Sequence, residues 1–146
     1  MTSTDSSAPV IVVGVDGSPG SNDAVRWACG QARTTGSVVR AVASWRWPNY
    51  VTRVPPGSDP AGDTTRALSE SLEPIRSEFP DIQITEHVVQ GPAGPSLLTH
   101  AEGAALLVVG ARGRAAFPGM LLGSVAEHCV RHGPCPVVVV RPHTSF

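Results

Sequence analysis

Lysine is missing altogether: the 11 basic residues of this 146-residue chain are all arginine. That excludes a P-loop lysine, a Schiff-base lysine and a lysine general base. Arginine keeps its charge and presents a planar fork of donors that matches phosphate. Charge in general is sparse, at 16% of residues, and the formal net charge of −1 sets up no global field to draw nucleic acid or an anionic membrane. Cysteine is limited to Cys29, Cys129 and Cys135. An odd number without a Cys-x-x-Cys pair argues for packed, reduced thiols rather than a disulfide framework. No basic-then-apolar leader opens the chain, and no apolar run approaches membrane-spanning length. The expectation is a cytoplasmic protein with neither nucleic acid nor membrane as partner. No Ser/His/Asp or Cys/His arrangement is evident, so no catalytic residue is assigned.

What is present is a strict alternation of apolar runs and amphipathic segments. At this length, with 41% hydrophobic residues, one domain with a substantial core is expected. Residues 1–8 read as a disordered tail, 9–142 as the single domain and 143–146 as a second tail. Pro9–Val15 is a β-branched run suited to a strand buried on both faces. Ser18 and Pro19 then read as the N-cap and first residue of a helix. Its apolar face would carry Ala24, Val25, Trp27, Ala28 and Ala32, and Gly36 would end it. A second strand spans 37–45. Pro48, Pro55, Pro56 and Pro60 make 46–62 a loop. A helix is expected over 63–78, with Ala67, Leu68, Leu72, Ile75 and Phe79 on one face and a kink at Pro74. A strand at 81–90, a short helix from Pro95, a strand at 105–109, a helix at 124–132 and a strand at 136–140 complete the series. Such alternation argues for a parallel sheet covered by helices on both faces. Ligands of such sheets bind beyond the carboxyl ends of the strands, where the strand order reverses.

The stretch from Ala105 to Val125 concentrates the chemistry. Its strand runs into Gly110-x-x-Gly113, and nine residues later Gly123-Ser124 opens a helix. Glycine lets backbone N–H groups come close to a ligand, and a helix start attracts anions. A phosphate cradle and an ordinary strand-loop-helix corner both fit these glycines. From Ala105 onward, four arginines (Arg112, Arg114, Arg131, Arg141) stand against one acid, Glu127. Gly14-x-x-Gly17-x-x-Gly20 does not have the dinucleotide spacing, which argues against a nicotinamide cofactor.

The chain resembles the universal stress protein family, and within it the ATP-binding branch. The resemblance rests on Val15-Asp16-Gly17-Ser18, on Val42-Ala43-Ser44-Trp45, and above all on Gly110-x2-Gly113-x9-Gly123-Ser124. It implies an α/β three-layer sandwich with a five-stranded parallel sheet in the order 3-2-1-4-5, Rossmann-like and of the adenine nucleotide alpha hydrolase-like type. It also implies ATP as ligand and a homodimer. By that resemblance the backbone of Gly14, Val15 and Asp16 and that of Ser44 line the adenine pocket, and the Asp16 carboxylate meets ribose or the adenine side. Val109 belongs to the cofactor-binding set, Gly110 approaches ribose, Arg112 and Gly113 meet phosphates, and Gly123, Ser124 and Val125 hold the outer phosphates. Mg2+ or Mn2+ would be held mainly by the phosphates, with no dedicated protein ligand. Two positions depart from common members: Ala43 where histidine is frequent, and Ala105 where aspartate often precedes the strand.

Other features have weaker readings. His128 and His132 share a helix face at a zinc-compatible spacing, but two further ligands would be needed, and a surface or capping role is expected. Trp45 and Trp47 could stack on adenine or simply pack. Cys135, between two prolines, is the thiol to test for oxidation. The Pro136–Val140 strand would be an apolar sheet edge and so the seam of a twofold dimer. The function expected is an ATP-binding stress sensor or regulator with little turnover. The alternatives are a slow ATPase or self-modifying phosphotransferase, and a dimeric scaffold for cyclic AMP or another adenine nucleotide.

Overall fold

A computed structural model describes residues 7–47, 51–114 and 117–142. Residues 1–6 and 143–146, most of the two expected tails, lie outside the described residues, as do 48–50 of the proline-rich loop. The elements are β1 (Val10–Gly14), α1 (Pro19–Thr35), β2 (Val38–Trp45), α2 (Pro60–Glu78), β3 (Ile84–Gln90), α3 (Ala93–Ala101), β4 (Leu106–Gly110), α4 (Ser124–His132) and β5 (Val137–Val140). The strands form one parallel sheet in the order β3-β2-β1-β4-β5. β1 is central: Ile11 stands opposite Val39 on one side and Leu106 on the other. The chain builds outward from β1 to β3, then crosses back to β4, so the order reverses between β1 and β4.

The sheet has a core on each face. Alternate residues of β1 point opposite ways, so Ile11 and Val13 join Ala24, Val25, Ala28, Leu68, Leu72 and Ile75 under α1 and α2. Val12 joins Leu97, Leu107, Val109 and Ala126 under α3 and α4. Each fully buried aliphatic side chain of this kind stabilises the fold by about 1.5–3 kcal/mol.

Local signals account for several boundaries. Ser18 caps α1, its Oγ accepting the Ser21 amide, and Pro19 follows. Gly36 ends the helix in the left-handed conformation, φ 72°, its amide bonded to the Ala32 carbonyl. Other expectations need correction. Trp27 is not on the buried face of α1 but 39% exposed. The stripe is made by Ser21, Ala24, Val25, Ala28 and Ala32, and at 3.6 residues per turn position 27 falls on the other flank. Ala67 is exposed on α2 for the same reason. α2 begins at Pro60, not Asp63, because the Asp59 side chain accepts the Gly62 amide and Pro60 suits a first helical turn. It runs on through Pro74 to Glu78. α3 likewise starts at Ala93, ahead of Pro95.

Candidate functional site

The carboxyl ends of β1, β2 and β4 and the first turns of α3 and α4 surround a pocket of about 410 Å3. Every residue expected at the site lines it: Gly14, Val15 and Asp16 after β1, Ser44 on β2, Val109 and Gly110 at the end of β4, Arg112 and Gly113 in the loop, and Gly123, Ser124 and Val125 at the start of α4. Its volume lies in the range of small-ligand sites. One wall is apolar, from Val42, Leu97, Val109 and Ala126. The glycine loop and the first turn of α4, to which Ala126 belongs, complete the lining.

α4 is left open at its start. Its N-cap is Gly123, and among the described residues no side chain caps it. The Gly123 amide is already bonded to the Ala111 carbonyl at 2.6 Å, and the first intrahelical bond runs from the Glu127 amide to the Gly123 carbonyl. The amides of Ser124, Val125 and Ala126 fall in the turn where a helix has no partner of its own, and all three residues line the pocket. Backbone demands no glycine at position 123. Its φ is −72°, and an added Cβ would make only ordinary contacts, 3.4 Å and beyond, with Ala111, Arg112 and Gly113.

The other glycines are needed by the protein itself. A Cβ on Gly110 would sit 2.9 Å from the Gly20 carbonyl oxygen, and one on Gly20 would sit 2.9 Å from that of Arg112. The end of β4 and the first turn of α1 therefore touch backbone to backbone. A Cβ on Gly113 would lie 2.5 Å from Asp16 Oδ2.

Asp16 works as a clasp. Its Oδ1 accepts the Ser18 amide at 2.9 Å, and its Oδ2 accepts the Arg114 amide at 2.9 Å, across 98 residues of sequence. The Asp16 amide donates to Ser21 Oγ at 3.2 Å. Partial burial pushes this carboxyl up, but the hydrogen bonds from Ser18, Arg114 and Ser21 outweigh it and hold the group below the ordinary aspartate value. A carboxylate offers about four lone-pair sites, so acceptor capacity remains for a ligand hydroxyl. Arg112 is half-buried in the wall, whereas Arg114 is exposed and contributes its amide to the clasp.

Sequence reading missed Leu97, whose side chain packs on Gly14, where a Cβ would come within 2.7 Å of it. It also missed the partnership of Gly20 with Gly110. A signal for the latter existed, since a glycine inside a helix costs about 1 kcal/mol relative to alanine and calls for a reason. Trp45 does not line this pocket but faces a neighbouring hollow, with its ring edge-on to Trp47 at 5.9 Å. His128 and His132 lie 4.9 Å apart, ring to ring. Among the described residues no group of three or more His, Cys, Asp or Glu gathers as metal ligands. Burial pushes the thiols of Cys29 and Cys129 up to about 11 and raises that of Cys135. Cys135 is therefore not an activated thiol.

An open parallel sheet, helices on both faces and a crevice at the strand-order reversal define a doubly wound α/β domain of the Rossmann-like type. The profile of the universal stress protein family matches residues 9–141, and the chain belongs to that family. A universal stress protein of Mycolicibacterium smegmatis is 36% identical over 139 residues, covering 94% of this chain and 47% of that protein. The chain spans about half the length of the curated relatives it matches. Among solved structures, the universal stress protein UspA from Lactobacillus plantarum superposes with TM-score 0.78 at 20% identity, covering 94% of this chain and 100% of that one, a likeness of fold. A universal stress protein in complex with cAMP superposes with TM-score 0.70 at 28% identity, covering 93% and 98%. Among the described residues no helix is long and apolar enough to cross a membrane.

Proposed function

We propose that this domain binds ATP, with Mg2+ or Mn2+, at the rim of the sheet and acts as a nucleotide-dependent regulator with little turnover. The carrying observation is the uncapped first turn of α4, which lines a pocket of about 410 Å3 together with the apolar side chains of Val42, Leu97 and Val109. The amides of Ser124 and Val125, the Ser124 hydroxyl, the Gly113 amide and the Arg112 guanidinium would receive the phosphates. Gly110 and the free lone pairs of Asp16 suit ribose, and the Val42–Leu97 wall with Ser44 suits adenine. A divalent ion would neutralise charge among the phosphate oxygens. Of the described residues lining the pocket, Asp16 is the one acid, and each of its oxygens already accepts one backbone amide.

The test is to denature freshly purified protein and identify the released small molecule by mass spectrometry, then to titrate the emptied protein with Mg-ATP by calorimetry. Failure to bind ATP overturns the reading. Cyclic AMP is the second reading, because the relative solved with it shares 28% identity. Direct competition between the two nucleotides decides. Robust ADP release that disappears in a Gly113 variant would instead establish the ATPase or phosphotransferase alternative.

Among the described residues β5 pairs with β4 on one side only, and all four of its valines are half-buried. A homodimer through Val137–Val140 would cover that apolar edge, and sedimentation as a monomer at micromolar concentration would refute it. Three free cysteines fit a cytoplasmic setting.

A further inference from the structure

A second hollow, of about 440 Å3, adjoins the site. The two are continuous, since Ser44, Ala93, Ser124 and Val125 line both. The second differs in chemistry. Trp45, Arg46 and His128 line it, and among its described lining residues there is no acid. Trp45 is half-buried at the end of β2 and braced edge-on against Trp47. His128 is wedged against α3, where a Cβ on Gly94 would come within 2.7 Å of its ring. Arg46 is exposed and makes no ion pair among the described residues. An aromatic side chain, a guanidinium and an imidazole thus continue past the point where a triphosphate would meet Ser124 and Val125.

We propose that the two hollows form one composite site for a dinucleoside polyphosphate, the second base resting on Trp45 and the phosphate chain passing from Ser124 and Val125 toward Arg46 and His128. This rests on the nucleotide reading of the first pocket and extends it. An aromatic ring takes any base by its π-face, and a guanidinium beside it adds charge for phosphate. A lone nucleotide leaves these groups unused, whereas a ligand with a second base engages them without giving up the first set of contacts.

The experiment titrates the full chain with Mg-ATP, adenosine 5′-tetraphosphate and diadenosine tetraphosphate, and repeats this on Arg46→Ala and Trp45→Ala. The dinucleotide is expected to bind the wild-type protein about tenfold more tightly than ATP, the order of one base stack. Trp45→Ala should remove most of that advantage while leaving the affinities for ATP and adenosine tetraphosphate unchanged. Arg46→Ala, at an exposed position that does not threaten the fold, should weaken both tetraphosphates and spare ATP. Equal affinity for ATP and the dinucleotide, or variants that weaken all three ligands alike, would overturn the inference while leaving the nucleotide reading intact. No binding of ATP to the wild-type protein would remove that reading, and the composite site with it.

Discussion

Two helices begin at the same rim of the sheet and are finished in opposite ways. α1 closes itself: the Ser18 hydroxyl accepts the Ser21 amide, Ser21 Oγ donates to the Ser18 carbonyl and accepts the Asp16 amide, and the Asp16 carboxylate accepts the Ser18 amide. α4 begins on Gly123 with no side chain to cap it, although the two strand-loop-helix corners are neighbours. A self-capped start contributes about 1 kcal/mol to the fold and leaves its donors occupied. An uncapped start forgoes that contribution and keeps its donors for a visitor. The glycines divide the same way. Gly20 and Gly110 have no Cβ because the two corners touch, whereas nothing in the protein requires a glycine at 123.

The sharpest way to break this contrast is at Gly110. A single added methyl, Gly110→Ala, should lower stability by about 3 kcal/mol, the upper range for overpacking, because its clash is with backbone that has nowhere to move. Urea unfolding measures it, and an unchanged midpoint would remove the close approach from the account. Gly123→Val should do the reverse. Stability falls by only about 1 kcal/mol, the order of replacing a favourable N-cap residue by an apolar one, while Mg-ATP affinity falls by about two orders of magnitude as the valine fills the cradle; calorimetry on the folded variant decides. Gly113 sharpens the comparison, since a side chain there displaces the Asp16 carboxylate. Gly113→Val should therefore lose both nucleotide and some stability.

The caps give a smaller contrast. Ser18→Ala should cost about 1 kcal/mol of stability, whereas Ser124→Ala, which removes no cap, should leave the melt unchanged and weaken only nucleotide binding. Thermal melts of the pair side by side check it. The smallest effect is on acid stability. The folded Asp16 carboxyl ionises below its unfolded value of 3.8. Its hydrogen bonds therefore add stability above that pH, and the addition fades as pH falls through the lower folded value. Asp16→Asn should flatten this part of the stability profile between about pH 5 and pH 1. A profile identical to wild type would mean that the clasp to Arg114 is not formed in solution.

Much of the fold is legible in the chain because its signals are local. Val10–Gly14 is a buried strand by composition, Ser18-Pro19 a helix start, Gly36 a helix stop, and Gly110-x2-Gly113-x9-Gly123-Ser124 a marked corner. Errors cluster where a local rule meets a competing one. Pro60 and Pro95 read as loop and helix start until the Asp59 cap and the helical amides around Ala93 are seen. Trp27 reads as core until the stripe it misses is drawn on α1. The residues expected at the site all line one pocket, but Leu97 and the Arg114 amide were not among those expected. Neither carries a motif; each matters only through what it lies against.

The alternation of strands and helices, the parallel sheet, the absence of lysine and the spacing of the glycine corner are properties of the sequence alone, because hydrophobic period and backbone permissiveness are written residue by residue. Tertiary structure decided that Gly20 and Gly110 meet, that Asp16 reaches Arg114 across 98 residues, and that α1 is closed while α4 is open. Those outcomes depend on distances between backbones far apart in the chain, and such distances exist only once both faces of the sheet are packed.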